Sequence, residues 1–81
     1  MPYIPQERRD RWQIRLPDDL PAGDLNYIIT NVLIQHVEQQ GTSYRVINEI
    51  IGVLECAKLE MYRRLAAPYE DSKIAENGDV Y

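Results

Sequence analysis

Arginine forks and aromatic rings are the side chains this sequence groups most densely, and they suit binding better than bond breaking. Arg8, Arg9, Arg11 and Arg15 surround Trp12, so four of the nine basic residues fall within eight positions of a chain with net charge −4. Tyr3 lies just upstream. A second group places Arg63 and Arg64 between Tyr62 and Tyr69. A guanidinium matches phosphate or carboxylate with two parallel hydrogen bonds, and an aromatic face stacks a base or another guanidinium. The ligand-binding residues expected from this pattern are Arg8, Arg9, Arg11, Trp12, Tyr62, Arg63, Arg64 and Tyr69. Each group also has a plainer explanation. The first can pair with the acidic residues Glu70, Asp71, Glu76 and Asp79, and the second can simply complement a helix C-terminus. If the two groups converge, within one chain or between copies, they make an anion pocket with aromatic walls.

The catalytic inventory is thin. His36 is the only histidine, and its place beside an apolar stripe fits a hydrogen-bonded core or interface residue better than a general base. Cys56 sits mid-helix among aliphatic residues, away from any helix N-terminus that would stabilise a thiolate, and is expected to behave as a small hydrophobe. Glu55 and Glu60 lie five positions apart, which turns them to different faces of a helix. Glu70 and Asp71 are better explained as partners of a helix dipole than as an acid–base pair. No glycine-rich phosphate loop, HExxH motif or cysteine–histidine cluster with metal spacing occurs. The chain is therefore read as non-enzymatic, without metal or cofactor. A composite hydrolase or nuclease site built across subunits is the one enzymatic alternative.

The elements that must position these groups are predicted to be helices. Asp24 is a suitable N-cap and Gly41 a suitable C′ residue for a first long helix. Leu25, Ile28, Ile29, Val32, Leu33 and Val37 mark its buried face, with His36 on the next position of the stripe. Ile34 falls off that stripe and hints at a second contact surface. Thr42 or Ser43 caps a second long helix after so short a connection that the pair should form an antiparallel αα-hairpin. On this second helix Ile47, Ile50, Ile51, Leu54, Met61 and Leu65 form one face, widened by Val46, Val53, Cys56 and Ala57 beyond what one neighbour can cover. Gly52 in its interior suggests close approach of another backbone or ring. Glu60 and Arg64 are expected to pair across one turn.

Pro68 should end or kink that helix. A short C-terminal helix follows, holding Tyr69, Ile74 and Ala75 and closing at Asn77-Gly78. Val80 and Tyr81 are expected to fold back onto the body. Upstream, Pro5 can open a short helix with Glu7 in its first turn, and Ile14 and Leu16 form an extended piece able to dock on a helix. The expected fold is all-α. It comprises an irregular arm and loop over residues 1–23, a helical hairpin over 24–67 and a C-terminal helix and tail over 68–81, in one domain over 1–81.

An apolar surface too broad for one hairpin predicts assembly into a homodimer or larger helical bundle. The acidic balance argues against general nucleic-acid binding. No run is apolar enough to span a membrane, and the first residues lack the apolar run of a signal peptide. With one cysteine and no possible internal disulfide, a cytosolic setting is expected.

MPYIPQERR at the start, GDLNYIIT at 23–30 and IGVLECAKLEMYRRLAAPYEDSKIAENGDVY at 51–81 resemble a family of small proteins of uncharacterised function associated with phage and prophage genomes. The resemblance transfers no activity and no site residue. It implies a setting in which short proteins commonly act as accessory or anti-defence factors, some as oligomeric sponges for nucleotide immune signals. Joined to the arginine–aromatic groups, that setting suggests a binding protein for a small phosphorylated, nucleotide-like molecule. The alternative is a protein–protein module for a host or phage protein.

Overall fold

The structure is a computed structural model that describes residues 2–81. Four α-helices and one π-helical turn carry the chain, with no strand among the described residues: α1 (Gln6–Arg11), α2 (Ala22–Gln40), α3 (Tyr44–Met61), the π turn (Tyr62–Ala66) and α4 (Ala67–Asn77).

The helix ends follow local chemistry. Gly41 closes α2 with φ of 87°, and Gly78 closes α4 with φ of 90°, a region that side chains with a Cβ rarely enter. Ser43 caps α3, its hydroxyl accepting from the Val46 backbone N–H at 3.2 Å. The start of α2 departs from expectation. It begins at Ala22 rather than after Asp24, because Pro21 offers its carbonyl to the Leu25 N–H at 3.0 Å and needs no donor of its own. Asp24 becomes an acid in the first turn, where the dipole favours it. Pro5 likewise precedes α1, whose first turn contains Glu7.

Pro68 does not end the long helix. From Met61 to Ala67 the backbone at the helix junctions stays in the right-handed helical region. The turn before the proline widens instead, and the Ala67 N–H reaches back to the Tyr62 carbonyl. A wider turn moves aside the carbonyls that an α-helical turn would drive into the pyrrolidine ring, so the missing N–H is absorbed without a break. Tyr44 to Asn77 therefore form one rod of about 50 Å at the helical rise, matching the 50 Å long axis of the molecule.

Three residues, Gly41–Ser43, join α2 to α3, and these two helices touch. Val46 is the one fully buried hydrophobic residue among those described. Ile28, Leu33, Val37 and Ile50 are half-buried. Several side chains expected to dock do not. Ile14 is 81% exposed, Val80 is 92% exposed and Tyr81 projects freely, its backbone N–H held only by the Asp79 carboxylate at 2.9 Å. Helix α1 packs against no other helix.

The result is an open molecule. Its radius of gyration is 16.8 Å, against about 12 Å for a compact domain of this length. It exposes 7602 Å², whereas a compact 9.5 kDa monomer exposes about 5,000 Å².

Candidate functional site

The π turn is built from the residues Tyr62-Arg63-Arg64-Leu65-Ala66, so the second arginine–aromatic group coincides with the one irregular stretch of the rod. π-helical turns recur at functional sites because the widened turn re-aims side chains that a regular helix would space evenly. Here Lys58, Met61, Tyr62, Leu65, Ala66 and Tyr69 line one open groove. Its lining is mostly apolar, with two phenol rings and one lysine whose ammonium is paired with Glu55. Lys73 lies 5.5 Å from the centre of the Tyr69 ring, so one face of that ring already has a cation beside it.

Arg63 is engaged elsewhere. Its Nη2 donates to Glu60 Oε1 at 2.6 Å, and the Tyr3 hydroxyl donates to the same oxygen. The Glu60 side chain is only 19% exposed. The Arg63 hydrogen bond, reinforced by that of Tyr3, holds the Glu60 carboxyl below the usual glutamate range and pushes the Arg63 guanidinium up. The predicted Glu60–Arg64 pair is thereby corrected. Arg63 takes the carboxylate oxygen that Tyr3 also binds, and Arg64 acts on Glu60 only through its charge. Among the described residues Arg64 has no ion-pair partner.

The first group stays apart. Arg8, Arg9, Arg11 and Trp12 are exposed on α1 and its C-cap. Arg9 Nε donates to the Ile4 carbonyl at 2.7 Å, a bond internal to the arm. Pairing of this group with the acidic tail does not occur among the described residues. The arm meets the π end of the rod through Tyr3 rather than through its arginines. The structure thus brings Tyr62 and Tyr69 to one groove, ties Arg63 to Glu60 beside it, and leaves the α1 arginines separate. Lys58 and Glu60 are the site residues that the arginine–aromatic pattern missed. Glu60 stands three residues before Arg63, a helical pairing distance, and Lys58 three after Glu55, to which it bonds at 2.9 Å.

Other candidates resolve simply. His36 is exposed and shares a surface pocket with Val32, Leu33, Glu49, Ile50 and Val53. Cys56 is exposed and not packed among aliphatic residues as expected, because its position turns away from the face that meets α2. A side chain added at Gly52 would meet nothing within 4 Å, so among the described residues none makes the expected close approach. No helix of the described residues is long and apolar enough to cross a membrane.

The family model described as "Domain of unknown function (DUF6899)" matches residues 1–80. No curated protein and no solved structure matches the chain.

Proposed function

We propose a binding function for this chain, which belongs to the DUF6899 family: a self-associating helical protein that captures a small phosphorylated, nucleotide-like molecule without turning it over. The groove at the π turn carries this reading. Tyr62 and Tyr69 offer ring faces for a base, while Arg64, in the same π turn as Tyr62 and without an ion-pair partner among the described residues, supplies charge for phosphate. Sequestration needs affinity and residence, not a general acid or base. An origin in phage genomes, expected from the sequence resemblance, makes a host signalling nucleotide the ligand class of choice. Antiparallel packing of α2 on α3 and pairing of whole chains would then build the frame around the groove.

The test is a thermal-shift screen of cyclic di- and trinucleotides and ADP-ribose derivatives, followed by recovery of the bound compound after heat denaturation. A ligand at 100 times its Kd stabilises the folded state by about 2.7 kcal/mol, well within reach of the assay. Release of the compound unchanged supports capture. Release of an altered product replaces it with catalysis, and no shift with any compound overturns it.

A second reading, docking of a host or phage protein, is favoured by a different observation. Ile34, Ile51, Met61 and Leu65 are each at least half exposed, more apolar surface than a free monomer usually shows. Arg64→Glu separates the two readings: it abolishes nucleotide binding under the first and leaves a protein complex intact under the second.

A further inference from the structure

The apolar face of the rod has a regular period. Ile47, Ile51, Leu54, Lys58, Met61 and Leu65 follow one another at steps of four, three, four, three and four residues. That alternation keeps one seam facing a partner helix over several turns, and it is the spacing of a coiled-coil interface. The seam is about 27 Å long at the helical rise. It is offset from the side that α2 covers most fully: Val46 is buried and Ile50 half-buried there, whereas along the seam Ile47 is 41%, Ile51 59%, Leu54 36%, Met61 60% and Leu65 62% exposed. Ile34 and Val37 line a groove with Ile47 and Ile51, flanked by Thr30 and Glu38, so the seam continues onto α2.

We infer that a second copy of this chain seats on that seam with its α3 running in the opposite direction. The inference rests on the self-associating part of the proposed function and fixes its geometry. Three observations lead to it. The first is area. The surplus over a compact monomer is about 2,500 Å² per chain, with the arm and tail included and the seam as one part of it, and obligate homodimers bury about 2,000–5,000 Å² over both partners. The second is Lys58, a charge at a seam position. A parallel two-fold pair would set the two Lys58 amines in one layer, where like charges repel. Reversing one helix places Lys58 against the partner's Leu54, with its ammonium still held by Glu55 at 2.9 Å. The remaining layers are then apolar, Ile51 against the partner's Met61 and Ile47 against the partner's Leu65. A single lysine in such a seam costs stability and selects register and partner number.

The third observation is Tyr44, which is 87% exposed at the start of α3. In the reversed pairing it falls beside the partner's Pro68 and Tyr69. It supplies a third ring beside Tyr62 and Tyr69, while the partner helix covers the Lys58, Met61 and Leu65 side of the groove that is open in the single chain. A two-fold pair of this kind carries two equivalent grooves, each completed by the other copy.

Disulfide trapping decides the register. Two full-length variants, Ile51→Cys and Met61→Cys, are made with Cys56→Ser in both, refolded together and oxidised. A covalent dimer in the mixture, with little in either variant alone, is the expected result. Efficient cross-linking of Ile51→Cys to itself overturns the antiparallel arrangement. Sedimentation of the unmodified chain separates the two possible failures. A dimer that gives no 51-to-61 cross-link overturns the register while self-association stands, and a monomer overturns both. Lys58→Leu provides a second readout that needs no thiol. It raises the melting temperature of the dimer if Lys58 lies in the seam, and an unchanged or lower value counts against that placement.

Discussion

At the connector end of α3, Ser43 caps the helix and Val46 has no exposed surface; at the other end, Tyr3 and Arg63 converge on the carboxylate of Glu60. The first end is held by apolar burial and a neutral cap, both local to the turn between two long helices. The second is held by a charge and a hydroxyl brought from opposite ends of the sequence. Burial depends little on pH and commits the whole helix pair. A charged latch depends on protonation and commits only what it ties down, here the arm in front of α1. The same rod is thus held by burial at the connector and conditionally where the candidate groove opens.

The contrast breaks if the connector end proves dispensable. Val46→Ala removes two buried methyl groups and leaves a small void, an expected loss of about 2–3 kcal/mol. Urea unfolding at fixed protein concentration measures it, since self-association makes stability concentration-dependent. A loss below about 0.5 kcal/mol would show that Val46 is not the centre of this chain's packing. Ser43→Ala tests the same end more gently. It leaves the Val46 N–H without its partner and should cost about 1 kcal/mol, while Ser43→Gly should cost only a few tenths.

The helix ends were legible in the sequence because the chemistry that fixes them is local. Gly41 and Gly78 are needed where the backbone turns left-handed, and Ser43 stands three residues before the N–H it accepts. Pro68 misled for the opposite reason. Proline forbids an α-helical turn, but it does not say whether the chain stops or widens, and the widening depends on the five residues before it. Ile14, Leu16, Val80 and Tyr81 were expected to dock on the strength of their apolarity alone. They remain exposed, because apolarity alone does not specify a partner surface. Of the candidate site, the tyrosines and arginines were visible as a cluster. The latch was not, since Tyr3 and Glu60 are 57 residues apart and no periodicity connects them.

The smallest expected effect on global stability, and the sharpest on local order, comes from Tyr3→Phe. An exposed hydroxyl–carboxylate bond contributes little to overall unfolding, so the melting temperature should barely move. The carboxyl should respond. Arg63 is the larger cause of the lowered Glu60 pKa and Tyr3 the second, so Tyr3→Phe raises it part of the way and Arg63→Gln raises it further. The sign of the pH dependence follows. A carboxyl whose folded pKa lies below its unfolded value stabilises the latch fully above the unfolded value, near 4.3. That contribution is lost only as pH falls through the lowered folded value. Between pH 5 and 8 the latch is therefore constant, and only acid below the lowered folded value of Glu60 releases it. Carbon-13 NMR of the Glu60 carboxyl across a titration reads the shift directly, and amide exchange in the arm reads the release. If Glu60 in the unmodified chain titrates like an ordinary glutamate, the arm is not latched. The π end of the rod would then be as free as the tail, and the groove beside it would have no neighbour drawn from the N-terminus.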